Sequence, residues 1–384
     1  MEYIKVSEPL IDEREIAAVR DVLLSGMYVS GKRVEAFEQA FADFVGVNHA
    51  VAVCSGTAAL QLALTALGIG PGDEVIVPSL TFFSTVTSVI HAGGKPIFAD
   101  IDDDYCLDPK TVREQITPRT KGILPVHYFG CAADLDELCS IAEENSLFVL
   151  EDCAQAIGTK HRGRTVGSIG QAGAFSFFAT KNMTTGEGGM ITTDNPDVAE
   201  MARMMRSHGM EGRDDHVMLG YNFRMTEMEA AIGSIQLEKL GAFNKKRQAN
   251  SRYIYDRIGD VAWIGIQDIP VHVEHTFFWC PIFVREDVVG MKTGDVRRKL
   301  HEMGIGTRHR YQEPLYRQPM LREDSPYPRN YDVRCHQDGK PVRYEDLSFP
   351  NAEKYSGRLL GLPNHPGLSR QQLDRVVESV RSIA

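Results

Sequence analysis

AGAFSFFATKNMTTGEGGMITT, residues 172–193, is the stretch whose pattern decides the fold. It opens as one apolar run (Ala174, Phe175, Phe177, Phe178) and closes as another (Met190, Ile191), which predicts two buried strand-like pieces. Between them lie a single lysine, Lys181, and a Gly-rich turn, Gly186-Glu187-Gly188-Gly189. A lysine flanked by apolar runs sits in or near a core, where an ammonium is costly unless it is paired or chemically used. Desolvation lowers its pKa and makes the amine a nucleophile able to form a Schiff base with a carbonyl. The plainer reading is a turn lysine that snorkels to water. The stretch alone does not choose between them.

Working upstream, Phe148-Val149-Leu150-Glu151-Asp152 predicts a short buried strand that ends in an acid, with Cys153-Ala154-Gln155 after it. An acid at the carboxyl end of a parallel strand faces the crevice where α/β folds bind ligands. A pyridoxal phosphate (PLP) enzyme needs a Schiff-base lysine and a carboxylate that keeps the pyridinium nitrogen protonated, and Lys181 and Asp152 supply that pair. An acid in this position serves equally as a helix N-cap or a metal ligand. Further upstream, the β-rich run from His49 stops at Ser55-Gly56-Thr57, and a helix begins with Leu60, Leu64 and Leu67 on one face and Gly68 as its stop. Strand, tight turn and helix N-terminus make a ready phosphate site, to which Ser176 can add a hydroxyl. Many βα units carry such a junction for packing alone; its weight comes from standing in order with the other two.

Taken together, SGTAAL (55–60), PSLTFFST (78–85), EDCAQAIG (151–158), AFSFFATKNMTTGEGGM (174–190) and GYNFRMTEMEAAIGSIQLEKL (220–240) resemble the DegT/StrS-like nucleotide-sugar aminotransferases. These are fold-type I, PLP-dependent enzymes that aminate keto-sugars, and the resemblance runs over essentially the whole chain. It implies an α/β fold with a large PLP-binding domain over 31–243, preceded by a helix and loop (1–30) and followed by a small C-terminal α/β domain (244–384). It implies Lys181 as the Schiff-base lysine, Asp152 on the pyridinium nitrogen and Gln155 near the cofactor's 3-oxygen. Gly56, Thr57, Ala58 and Ser176 are expected at the phosphate, and Phe82 against the ring face. Asn222 is expected to reach the phosphate of the neighbouring subunit's cofactor in a homodimer with shared active sites. The implied reaction runs through PLP and its pyridoxamine form, with L-glutamate as donor and a nucleotide-linked 3-keto or 4-keto sugar as acceptor. A keto-cyclitol acceptor is the nearer alternative, and a PLP-binding regulator without turnover the more distant one. Related dehydratases carry His in place of the lysine, and Lys181 argues against that chemistry.

The chain has 384 residues, enough for two cores, and 43% hydrophobic with 24% charged residues is an ordinary globular composition. A net charge of −10 argues against nucleic acid or an anionic membrane as the main partner. The seven cysteines form no CxxC pair, which fits reduced thiols and gives no zinc site. The N-terminus has no apolar signal core, and no run approaches the ~20 residues of a membrane span. A cytoplasmic enzyme is expected.

Strands are predicted over 49–54, 74–78, 96–100, 121–126, 147–151, 173–178 and 189–193, with helices near 57–67, 81–92, 109–116 and 134–145 between them. Such alternation predicts a mainly parallel sheet covered on both faces. His127, ending GILPVH, is either a core histidine or a group facing the same crevice as Asp152. Helices are expected over 12–24, 34–45 and 195–207, with Tyr28 in the first loop as a substrate contact or a packing residue. A polar loop follows over 208–219, carrying Arg213, and Thr226 with Glu229 forms a capping box for a helix running through Leu240. A separate basic helix is expected over 244–258, then a strand over 276–284 and helices over 293–303 and 369–383. Arg224 is an anchor for an anion or part of a structural ion pair. By the resemblance, Glu187, Arg308, His309, Arg310 and Tyr311 are substrate contacts, the alternative for the last four being a solvated loop; an arginine fork suits phosphate. Residues 321–349 predict a polar, Pro-rich surface excursion.

Overall fold

The computed structural model describes residues 2–212, 214–326, 331, 334–337 and 340–383. Arg213 of the expected polar loop and part of the 321–349 segment lie outside them. Seven strands form the central sheet: β1 (His49–Val53), β2 (Glu74–Pro78), β3 (Lys95–Ala99), β4 (Thr120–Ile123), β5 (Phe148–Asp152), β6 (Ala172–Ser176) and β7 (Gly189–Thr193). All seven predicted strands are present, displaced by at most a few residues at their ends. Their order across the sheet is β1-β7-β6-β5-β4-β2-β3. Only β7 runs against its neighbours; the pairs from β6 through to β3 are parallel. Strands buried on both faces need continuous apolar runs, which is why EVIVP in β2 has all five residues buried.

The first helix is α1 (Glu13–Ser25), and the sheet is flanked by α2 (Lys32–Val45), α3 (Gly56–Ala66), α4 (Ser84–His91), α5 (Pro109–Gln115), α6 (Leu135–Asn145) and α7 (Pro196–Arg206). Two helices expected in the next stretch are one: α8 runs unbroken from Glu227 to Ile258, opened by the Thr226–Glu229 capping box. Gly241 in its middle costs only about 1 kcal/mol, too little to stop a helix held by packing at both ends. Asn244, Arg247, Asn250 and Ser251 are buried on it, so the face that looks basic and solvated in sequence is partly an interior polar face.

The last turns of α8 enter a second core with Ile4, Trp263, Ile282, Leu300 and Val376. Here β8 (Ile264–Ile266), β9 (Cys280–Val284) and β10 (Leu359–Leu362) form an antiparallel sheet in that order, with α9 (Thr293–Glu302) and α10 (Arg370–Arg381) contributing to the same core. The expected strand over 276–284 starts only at Cys280. Phe277 sits at φ 49°, left-handed backbone that a strand does not accommodate, and its N–H is held by His275 Nδ1 at 2.8 Å. The 321–349 segment is not purely a surface excursion. Leu321, Tyr344, Leu347 and Phe349 are buried, and the Tyr344 hydroxyl donates to the Pro96 carbonyl at 2.8 Å. Among the described residues no helix is long and apolar enough to cross a membrane.

Candidate active site

The carboxyl ends of β5 and β6 and the N-terminus of α3 converge on a cavity of about 410 Å³ whose wall includes Lys181, Asp152, Gln155 and Ser176. Beyond β6 the chain turns sharply: Lys181 N–H donates to the Phe178 carbonyl at 2.9 Å, and Thr185 N–H to that of Phe177 at 3.0 Å. The next residue, Asn182, is buried and donates to Asn244 Oδ1 (2.9 Å) and to the Thr276 carbonyl (3.1 Å), pinning the turn to α8. Lys181 Nζ lies 4.6 Å from the centre of the Phe278 ring. Burial, reinforced by the nearby Arg308 guanidinium and opposed by Asp152, lowers its pKa to about 8. An appreciable share of the amine is therefore neutral near neutral pH, the form that attacks a carbonyl.

Asp152 is 4% exposed. It accepts a hydrogen bond from Thr85 Oγ1 at 3.0 Å and from Ala154 N–H at 3.1 Å. Burial raises its pKa, partly offset by the Ala154 N–H, the Lys181 ammonium and the Thr85 hydroxyl. Such a carboxylate gains from a cationic N–H partner. Gln155 is fixed on both sides: its Oε1 accepts from Phe129 N–H (3.1 Å), and its Nε2 is 3.4 Å from the Tyr311 hydroxyl. Tyr311 holds φ 58°, and burial pushes its phenol up to about 12, so it stays a neutral hydroxyl.

The Ser55-Gly56-Thr57 turn opens α3 and lines the cavity together with Ser176. Two glycines make this possible. A Cβ on Gly56 would lie 2.7 Å from that of Ser176, and one on Gly189 would lie 2.4 Å from the Ser55 carbonyl oxygen; the helix end can touch β6 and β7 only without them. Ser55 Oγ caps Ala58 N–H at 3.2 Å, and Thr57 Oγ1 is 2.8 Å from Ser84 Oγ. A helix N-terminus with hydroxyls around it fits a phosphate, and a buried carboxylate and a depressed lysine fit the far side of a pyridoxal ring. The residues present fit PLP.

The remaining expected residues divide by position. Phe82, 57% exposed, and Glu187 line the cavity, as do Arg308, Arg310 and Tyr311. Ala58 stands behind the phosphate turn, buried, with its N–H already used by the cap. His309 faces a neighbouring cavity, and its Nε2 donates to the Gly357 carbonyl at 2.7 Å. Tyr28, Asn222 and Arg224 do not line the Lys181 cavity of their own chain. Tyr28 is exposed and its hydroxyl donates to the Leu23 carbonyl at 3.4 Å; Asn222 is exposed; Arg224 bridges to Val53 through its backbone. His127 does not face the crevice. It is fully buried, its Nδ1 accepts from Ala133 N–H at 3.2 Å, and the proton on Nε2 therefore points to Glu151 Oε2 at 3.0 Å. Burial pushes Glu151 up, but His127 and the N–H groups of Gly167 and Gly170 outweigh it and hold the carboxyl below its usual range.

Sequence reasoning passed over Thr85, Phe278 and Trp279. Thr85 stands in the PSLTFFST motif and touches Asp152 across 67 positions, a contact no local pattern announces. Phe278 and Trp279 read as strand interior, and reach the cavity because the strand begins after them.

A lysine, a buried acid and a hydroxyl-lined helix end, gathered at the strand ends of this sheet, make the site of a PLP-dependent enzyme. Comparison with known proteins agrees. Residues 9–381 match the model of the DegT/DnrJ/EryC1/StrS aminotransferase family. Spore coat polysaccharide biosynthesis protein SpsC of Bacillus subtilis (strain 168) is 38% identical, the alignment covering 99% of this chain and 97% of that protein. Among solved structures, S. venezuelae DesV in complex with a ketimine intermediate superposes with a TM-score of 0.87 at 34% identity, over 100% of this chain and 98% of that one. DesI, solved in the presence of its TDP-sugar product, gives 0.87 at 29% identity over 100% and 93%. The chain belongs to the DegT/DnrJ/EryC1/StrS aminotransferase family and is a PLP-dependent sugar aminotransferase.

Proposed function

We propose that this enzyme transfers the amino group of L-glutamate to the ketone of a nucleotide-linked keto-sugar. The observation that carries the reading is Lys181, among the described residues the one primary amine in the wall of the cavity, depressed to about 8 at the same site as the Asp152 carboxylate. PLP, when bound, supplies an electron sink for the carbon that bears nitrogen. Gly56, Thr57 and Ser176 hold its phosphate, Phe82 its ring face, Gln155 its 3-oxygen, and Asp152 its ring nitrogen as the protonated form. The neutral Lys181 amine takes the proton from the α-carbon of the donor and redelivers it. With the ketone it runs the same path in reverse. Arg308 and Tyr311, with Glu187 at the mouth, orient the substrate in the cavity.

The working form is a cytoplasmic homodimer, in which Asn222 reaches the partner's cofactor phosphate and Tyr28 and Arg224 the partner's substrate. The exposure of Met27, Tyr28 and Val29, and of Val217 and Leu219 at 52% and 81%, supports an apolar contact there. The free thiols support a reducing compartment. We divide the chain at about 30 and 243, the latter within α8, which makes that helix a shared spine of two cores. The test is acceptor profiling of the holoenzyme with ¹⁵N-glutamate, using nucleotide-linked 3-keto and 4-keto sugars beside a free keto-cyclitol. Label is expected on a nucleotide-linked product; label on the cyclitol alone would overturn the acceptor class.

A further inference from the structure

The two oxygens of Asp152 are held from different parts of the chain. Oδ1 accepts from Ala154 N–H at 3.1 Å, two residues on from the same strand end. Oδ2 accepts at 3.0 Å from the hydroxyl of Thr85, a buried residue in the first turn of α4. That turn also touches the rest of the cradle. Phe82, whose carbonyl accepts from Thr85 N–H at 3.2 Å, lines the cavity, and Ser84 Oγ lies 2.8 Å from Thr57 Oγ1 of the phosphate turn. Phe82, Ser84 and Thr85 thus tie ring face, phosphate turn and ring acid to one short piece of backbone.

An ionised carboxylate has about four lone-pair positions. With one donor on each oxygen, the Asp152 group cannot rotate without breaking a hydrogen bond, and each oxygen keeps a lone pair for a ring N–H. The Ala154 donor is backbone and comes with any sequence; the Thr85 donor is a side chain, and valine is close to it in shape but lacks the hydroxyl. Resting on the Asp152 assignment above, we infer that Thr85 is a positioning residue: its hydroxyl fixes the plane of the Asp152 carboxylate and favours the ionised form, so that the ring nitrogen of PLP keeps its proton. Burial opposes ionisation of Asp152, and the Thr85 hydroxyl counters it together with Ala154 N–H and Lys181. The titratable groups around Asp152 are Lys181 in the turn after β6, His127 beyond β4, its neighbour Cys153 and Tyr311. Among the described residues none of these hydrogen-bonds to the carboxylate, so none stands in for Thr85.

The test uses the PLP-loaded enzyme with ¹⁵N in the cofactor ring, whose NMR shift separates a protonated from a neutral ring nitrogen, followed as pH is raised. In Thr85→Val the pH at which the nitrogen loses its proton should fall by about one unit or more, the tenfold effect of one hydrogen bond to a charged group. The donor half-reaction should slow at least about tenfold in kcat with little change in KM. Thr85→Ser, which keeps the hydroxyl, should restore both, and Thr85→Ala, which lacks it, should follow Thr85→Val; if valine prevents PLP loading, alanine against serine carries the comparison. A nitrogen that titrates as in wild type without the hydroxyl, or a Thr85→Ser enzyme as impaired as the others, would overturn the role. The underlying assignments fail separately. A neutral ring nitrogen in the wild type contradicts the Asp152 assignment itself, and a protonated one in an enzyme that ignores glutamate contradicts the donor alone.

Discussion

In the proposed reaction the chemistry rests on the Lys181 amine, partly buried, and the Asp152 carboxylate, buried. Lys181→Ala is expected to abolish turnover while the protein still admits PLP, checked by activity beside a cofactor-binding titration. Because burial lowers the Lys181 pKa to about 8, capture of a carbonyl reagent by the cofactor-free protein should accelerate as pH rises and level off above about 8. The linkage has the same sign. The unfolded lysine keeps its proton to higher pH than the folded one, so this residue's contribution to stability grows as pH rises from about 8 and is unfavourable below it. Asp152→Asn should leave the backbone in place and remove the charge facing the ring nitrogen, lowering the donor half-reaction by orders of magnitude while PLP binding persists. The Lys181–Asp152 pair was legible because each sits at the end of an apolar run. Thr85 and the Phe278 ring were not, because they meet the pair only through the fold.

At the scale of elements, the sheet could be read from its strands because each buried strand is a short apolar run between turn residues. What escaped were the joints. Glu227 is 3% exposed at the start of α8 and looks in sequence like an ordinary first-turn acid; its carboxylate accepts from the N–H groups of Gly31, Arg33 and Val34, each at 3.0 Å, and so caps α2. Gly31 has no side chain with which to cap the helix itself. Glu227→Ala strands three backbone donors and should cost about 2–3 kcal/mol in urea unfolding. For His127 the sequence left two readings open, and the structure takes the core one: a strand end faces the crevice, but Glu151 and Ala133 N–H claim both ring nitrogens and draw it inside. Gly56→Ala pushes a methyl to within 2.7 Å of Ser176 Cβ. It should weaken PLP affinity at least about tenfold, the equivalent of one charge-assisted hydrogen bond, with a smaller effect on the melting temperature.

At the scale of the molecule, the cavity lies where the large sheet meets the segment around Arg308, whose backbone pairs with Gly361 of the smaller core. The Arg308 segment, tied to the sheet of the smaller core, thus bears on the same amine as the strand ends of the large sheet. Tyr28, Asn222 and Arg224 do not line the Lys181 cavity, and the proposed dimer assigns them to the partner's site. Mixing Lys181→Ala with Asn222→Ala subunits should then rebuild one intact site per heterodimer, restoring about a quarter of wild-type activity by random pairing in a two-fold dimer. No recovery, with both variants folded and exchanging, would place Asn222 outside the partner's site. These assignments depend on a second subunit, which is why they rest on the family resemblance rather than on any pattern in this chain.

The most direct test of the central claim is the visible spectrum of the PLP-loaded protein before and after L-glutamate, run beside Lys181→Ala. The account predicts that the wild-type band arises only with Lys181 present and is lost on adding glutamate, with release of the keto acid. A visible band that survives in Lys181→Ala, or a wild-type band that glutamate and other amino donors leave unchanged, would contradict it.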